Sequence, residues 1–245
     1  MIEFQALEKH YGTFEAVKPL SLTVRRGEVF GFLGPNGAGK TTTIRMMMGI
    51  LVPSAGRVLI DGKDCHLDAT EVKRRVGYLP DNPVFYDFLR GREILQFVAE
   101  MHGYPKAEAA RRTERMLAEF ALDEAAEEFA VNYSLGMKKK LGLACALIHA
   151  PAVLILDEPI NGLDPRSSRD VQERLLAEAA RGTTIFVSTH LLDMAEKLCD
   201  RVGIIHRGAL VATGSTDEIR TASAATGSLE EIFLKLTDEA GEHSQ

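Results

Sequence analysis

Val29–Leu33, Val76–Leu79 and residues 153–156 and 184–187 are apolar almost throughout, without a polar residue at every second position. Such runs predict parallel strands covered on both faces. Helical patterns lie between them. Ile94, Phe97, Val98 and Met101 recur at i, i+3, i+4 and i+7, which predicts a helix with one apolar stripe. Near the end, Ser228 and Glu231 form a capping-box signature with Leu229, Ile232, Phe233 and Leu236 around and after it, predicting a helix over 228–236. Residues 88–150 are helical in pattern, whereas the first 30 residues and 56–61 read as short strands joined by polar turns. The expected fold is α/β. A core from 1–87 and 151–220 carries a small antiparallel β layer, a helical subdomain is inserted at 88–150, and a polar tail fills 237–245.

Composition narrows the class. Across 245 residues the formal net charge is −6, so no broad basic surface for nucleic acid is expected. Arg111 with Arg112, and residues 138–140, are short basic runs of the kind that usually form solvated faces. The cysteines Cys65, Cys145 and Cys199 are odd in number and form no CxxC pair, which argues against a disulfide framework or zinc site and fits a reducing compartment. The amino terminus is charged within its first ten residues, unlike a signal peptide. Residues 141–156 lack Asp, Glu, Lys and Arg, but they number 16 and are broken by His149 and Pro151. A spanning helix needs roughly 20 apolar residues, so a buried helix and a buried strand are expected instead.

Gly34, Pro35, Asn36, Gly37, Ala38, Gly39, Lys40 and Thr41 match GxxxxGK[ST] in full, directly after an apolar run and before the helix-like segment that includes Thr42. Glycines let backbone N–H groups converge on phosphate oxygens, and the helix N-terminus adds its positive end. Lys40 is expected to reach the β- and γ-phosphates and Thr41 to ligate Mg2+. Asp157 and Glu158 close the strand at 153–156. At the carboxyl end of a strand beside a phosphate loop, Asp157 would hold the metal and Glu158 would act as general base. His190 closes another strand. It is either a structural histidine or a contact to the γ-phosphate, and its place at a third strand end of the same sheet favours the contact. Ser134 and Gly136 precede a helix expected from about Met137 to His149, whose first turn carries Lys138, Lys139 and Lys140. Cations oppose the dipole there. Either solvent screens them, or this N-terminus faces an anion, and the phosphates of a nucleotide on a second copy would fit.

Together these motifs resemble the ATP-binding cassette (ABC) family, over nearly the whole chain. The phosphate loop is similar to its Walker A, residues 154–158 to its Walker B, and Tyr133, Ser134, Leu135, Gly136 and Met137 to its signature motif. Asn161, Gly162, Leu163 and Asp164 are similar to its D-loop, and His190 to its switch histidine. The resemblance implies a P-loop NTPase (RecA-like) core, ATP and Mg2+ as ligands, and Tyr11 as the aromatic that stacks on adenine. The alternative for Tyr11 is an ordinary half-buried strand tyrosine. A head-to-tail dimer with a second ABC subunit is also implied, each ATP lying between Walker A of one copy and Ser134 and Gly136 of the other. Closing and reopening that dimer would drive integral membrane subunits from the cytoplasmic face.

Two departures stand out. The usual LSGGQ is Tyr-Ser-Leu-Gly-Met here, and Asp81 occupies the place of a glutamine, where it could still approach the metal. Both resemble the subgroup serving ABC-2-type transporters, which are mainly exporters. Residues 81–89 carry Pro83, Val84, Phe85, Tyr86 and Phe88 on a loop, either as the docking surface for the membrane subunits or as packing under the helices. The rival class is a soluble ABC-type ATPase acting on ribosomes or DNA. Such proteins usually carry two cassettes or a long coiled coil, and neither pattern is present. A P-loop kinase or GTPase would leave Ser134, Gly136 and residues 162–164 unexplained.

Overall fold

The computed structural model describes residues 1–222 and 230–234. β1 (Ile2–Tyr11), β2 (Phe14–Val24), β4 (Ala55–Ile60) and β5 (Lys63–Asp64) form an antiparallel sheet in the order β2-β1-β4-β5. β1 and β2 run 10 and 11 residues, longer than the short strands expected there. The second sheet is built from β3 (Val29–Leu33), β6 (Val76–Leu79), β7 (Val153–Asp157), β8 (Thr184–Thr189), β9 (Arg201–His206) and β10 (Ala209–Gly214). Its order is β10-β9-β3-β8-β7-β6, parallel except at β10. The four expected apolar runs are adjacent strands β3, β8, β7 and β6. β9 and β10 were not singled out in the sequence; their hairpin turns at Arg207 and Gly208, both at positive φ, as a two-residue primed turn requires.

The continuous apolar runs follow from burial on both faces. Phe30, Phe32, Ile155 and Phe186 point towards β1, β2, β4 and the helix α1 (Lys40–Met47). The Phe186 ring lies 5.4 to 5.9 Å from those of Phe4, Phe30 and Phe32. Leu154, Leu156, Ile185 and Val187 point the other way. There they meet Leu141 and Leu143 of α5 (Leu135–Leu147) and Leu175 of α6 (Pro165–Ala180). Each such side chain contributes about 1.5–3 kcal/mol of transfer free energy.

Between β6 and β7 the chain is helical: α3 (Gly91–Met101), α4 (Lys106–Glu119), a 3₁₀ turn at Ala130–Asn132 and α5. A short α2 (Ala69–Arg75) precedes β6. The α3 stripe is rotated from expectation. Ile94, Leu95 and Ala99 are buried while Phe97 and Met101 are exposed, as α3 packs chiefly on α4 and then on α5. After β8 come α7 (Leu192–Leu198), β9, β10 and α8 (Thr216–Ala222). Residues 230–234 are helical with Ile232 buried; Ser228, Leu229, Leu236 and the 237–245 tail lie outside the described residues.

Candidate functional site

Register brings the chemistry together. Leu33 pairs with Thr189, Asp157 with Ser188, and Leu79 with Leu156. The carboxyl ends of β3, β8, β7 and β6 therefore stand level at one edge of the sheet, where open α/β sheets bind ligands. Between the phosphate-loop strand and the acidic strand lies β8, so its terminal residues Ser188 and Thr189, with His190 directly after them, sit between the two motifs.

Gly34 passes too close to β9 for any side chain: an added Cβ would stand 2.4 Å from the Ile205 carbonyl oxygen. Gly39, at φ 108°, is the N-cap of α1 and offers no side-chain cap. A Cβ there would meet the Ala16 oxygen at 2.6 Å. Helical bonding begins with the Thr43 N–H to the Gly39 oxygen at 2.9 Å, so the first amides of α1 have no helical acceptor, an arrangement suited to an anion. Lys40, 5% exposed, donates to the Gly34 oxygen at 2.6 Å. Its Nζ also lies 3.1 Å from Glu158 Oε1, an ion-pair contact off the hydrogen-bonding line.

Asp157 is buried, and its Oδ1 accepts from Ser188 Oγ at 2.5 Å. Tyr78 lies near it on β6, its phenol pushed up to about 12 by burial first and Asp157 second. Glu158 takes φ +49°, a left-handed conformation that costs about 1–2 kcal/mol in a non-glycine residue. Its N–H is held by Ser188, by the carbonyl at 3.1 Å and by Oγ at 3.3 Å. The turn aims Oε2 at His190 Nδ1, 3.0 Å away. Glu158 thus stands between Lys40 and His190, facing a cavity of about 500 Å³. That volume suits a small organic ligand. The cavity is lined by Tyr11, the phosphate loop, Thr41, Thr42, Asp81 and Glu158. Tyr11 is half exposed at its mouth, with Lys9 Nζ 5.2 Å from the ring centre.

Ser134 and Gly136 do not line this cavity. α5 begins at Leu135, two residues earlier than expected, and Ser134 caps it by accepting from the Met137 N–H at 3.2 Å. Gly136 and Gly162 each lie against the other's motif: a Cβ on Gly136 would be 3.9 Å from Leu163, and 3.2 Å from Ser167 Oγ on α6, and one on Gly162 3.0 Å from Leu135. Asp164 caps α6, accepting from the Arg166 and Ser167 N–H groups at 3.0 Å; hydrogen bonding from the Ser167 side chain first, and from these amides after it, holds its carboxyl below the usual range. The lysine run is not a solvated face. Lys140 pairs with Asp170 at 2.8 Å, and Lys139 is 1% exposed, turned in towards Glu158 and Asp81.

Sequence reasoning missed Phe14, Ala16 and Asn161 as cavity walls, and Ser188 and Lys139 as partners of the acidic pair. Only the order of strands brings Ser188 to Asp157. For Mg2+, the donors at hand are oxygens, the Thr41 hydroxyl and the Asp157 and Asp81 carboxylates. Among the described residues no cluster of three or more His, Cys, Asp or Glu is placed to hold an ion alone. The oxygen donors suit Mg2+, which takes one or two protein oxygens and completes its shell with phosphate and water.

Comparison with known proteins assigns the arrangement to a family. The ABC transporter family model matches residues 17–161. A probable multidrug ABC transporter ATP-binding protein of Escherichia coli (strain K12) is 36% identical over all of this chain and 43% of its own length. A bacitracin transport ATP-binding protein of Bacillus licheniformis is 40% identical over 90% of this chain and 71% of its own length. The chain spans about half the length of the first curated relatives it matches, 43% of the first and 58% of one from Synechocystis. A solved ATP-binding subunit of an ABC transporter superposes with a TM-score of 0.90 at 35% identity, covering 97% of this chain and 99% of that one. From the phosphate loop through the acidic strand end and across nearly the whole fold, the chain belongs to the ABC transporter family of ATP-binding proteins.

Proposed function

We propose that this chain binds and hydrolyses ATP as the nucleotide-binding subunit of an ABC-2-type exporter, dimerising on ATP to drive separate membrane subunits. The observation that carries the reading is Glu158, which lines the cavity in a left-handed turn with one oxygen beside Lys40 and the other on His190, itself outside the cavity lining. ATP would lay its adenine towards Tyr11 and its phosphates along the Gly39 to Thr42 amides at the start of α1. The γ-phosphate would draw Lys40 away from Glu158, since a polyvalent anion competes better for the ammonium. Glu158 would then be free to take a proton from the attacking water, with His190 orienting its carboxylate. Thr41 and Asp157 would hold Mg2+, with Asp81 near enough to contribute; the ion supplies neutralisation of phosphate charge.

A second copy of the chain would complete the site with Ser134 and Gly136, which stand outside the cavity of their own subunit. Val84, Tyr86 and Phe88 are 90%, 73% and 82% exposed, whereas Phe85 and Leu89 pack on the core. The loop therefore serves both readings: it anchors under the helices and presents three apolar groups with Phe97 beside them, a patch of the kind that marks an interaction site. Membrane subunits docking there would hold the protein at the cytoplasmic face. Among the described residues no helix is long and apolar enough to cross a membrane.

The test is steady-state ATP hydrolysis by the wild type and Glu158→Gln, with size-exclusion chromatography in ATP. Loss of turnover by about 10²-fold or more, with ATP binding retained and a dimer trapped, supports the reading; near-normal turnover removes Glu158 from the base role. Affinity capture from detergent-solubilised membranes of the host separates the classes. A stoichiometric multi-spanning protein supports the exporter, and ribosomal proteins or DNA overturn it.

A further inference from the structure

Lys139 is the one lysine of the basic run drawn wholly inside. It sits in the second turn of α5, 1% exposed, among groups from two strand exits. Its Nζ donates to the Glu158 carbonyl oxygen at 2.5 Å and lies 3.4 Å from Asp81 Oδ1. The same carbonyl receives the Asn161 N–H at 3.3 Å, using its second lone pair. Burial holds the Lys139 ammonium below the usual lysine range, while Asp81, Glu158 and Asp157 act in the opposite sense. A buried cation of this kind is retained only where acceptors surround it.

The two acceptors differ in setting. Glu158 O belongs to a buried, left-handed turn whose side chain faces the cavity. Asp81 is 37% exposed and opens the loop that runs directly into Val84, Tyr86 and Phe88. One ammonium therefore joins the α5 end that carries Ser134 and Gly136, the turn that aims Glu158, and the loop that presents the apolar patch.

We propose that Lys139 is a positioning residue for hydrolysis: it pins the backbone of Glu158 in the turn that directs the carboxylate, and by sharing its ammonium with Asp81 it makes that alignment depend on the 81–89 loop. The proposal rests on the assignment of Glu158 as base. Where the loop shifts and Asp81 withdraws, the ammonium has Glu158 O alone, and the turn is held differently. A change at the patch is thereby felt at the base through two polar contacts.

The experiment is a double-mutant cycle on purified full-length chain, with Lys139→Met, Asp81→Asn and the pair. Each is measured for kcat, KM, binding of a fluorescent ATP analogue and thermal midpoint. Lys139→Met is expected to lower kcat by about tenfold or more while KM and analogue affinity stay within about threefold. Lys139→Arg, which keeps the cation and its donors, recovers part of the loss. Asp81→Asn lowers kcat in the wild type and has little further effect beside Lys139→Met, since the route between them is already cut. A Lys139→Met protein that is less stable yet turns over within about twofold of wild type assigns the residue to the fold alone and overturns the proposal. Should that variant not fold, Lys139→Gln carries the cycle, and additive losses with Asp81→Asn overturn the shared contact. Wild-type turnover that survives Glu158→Gln defeats the underlying assignment instead, which keeps the two failures apart.

Discussion

Removing the Ser188 hydroxyl tests how the sheet supports the acidic pair. Ser188 and Asp157 are 0% and 1% exposed, and Oγ donates to Asp157 Oδ1 at 2.5 Å. In Ser188→Ala the carboxylate oxygen loses this donor in a place water does not reach, whereas the Glu158 N–H keeps the Ser188 carbonyl at 3.1 Å. A hydrogen bond to a charged group is worth about 1.5–3 kcal/mol. For a chain of this length each kcal/mol moves Tm by about 2–4 °C, so a fall of about 3–12 °C is expected by calorimetry or thermal-shift fluorescence. The charge is the reason for the size of the effect, so the same substitution in an Asp157→Asn background should cost less. A Tm within about 1 °C of wild type, or an undiminished loss beside Asp157→Asn, would refute the view that the hydroxyl supports a buried carboxylate. Activity adds a second readout: with Asp157 less firmly oriented, the Mg2+ concentration for half-maximal hydrolysis should rise.

Ser134→Arg places a long cation at the exposed cap of α5; ATP binding by the monomer should persist while ATP-dependent dimerisation, read by light scattering, is lost. A normal dimer would contradict the head-to-tail geometry. His149 stacks on His102 with ring centres 3.8 Å apart, and burial pushes its pKa down to about 4, below the 6.5 of an unfolded histidine. Between pH 6.5 and 4 the unfolded chain therefore binds the extra proton, so folding stability falls as pH drops through that window and the effect is complete below it. His149→Phe keeps a stacking ring without a titrating nitrogen, and its Tm should decline less than that of the wild type from pH 7 to 4.5; parallel curves would exclude His149 as a source of the acid sensitivity.

Much of the site is local and therefore legible in the sequence. The phosphate loop is a contiguous peptide whose glycines, lysine and threonine act through their own backbone and the helix they begin, so spacing alone specifies it. The apolar runs of β3, β6, β7 and β8 show in the sequence because both faces are covered. Long-range placement is different. That β8 lies between β3 and β7, bringing Ser188 under Asp157 and His190 to Glu158, depends on crossover connections that no local pattern encodes. The rotation of α3, which leaves Phe97 exposed, comes with its packing on α4 and α5. Lys139 is the sharpest contrast. In a basic triplet at a helix start each lysine looks alike, since the pattern gives charge but not direction. The rotation of about 100° between successive helical residues, with α5 packed on the sheet, turns Lys139 inward to Glu158 and Asp81 and leaves Lys140 to Asp170. The sequence determined which chemical groups the protein carries; the packing of helices on the sheet decided which of them meet.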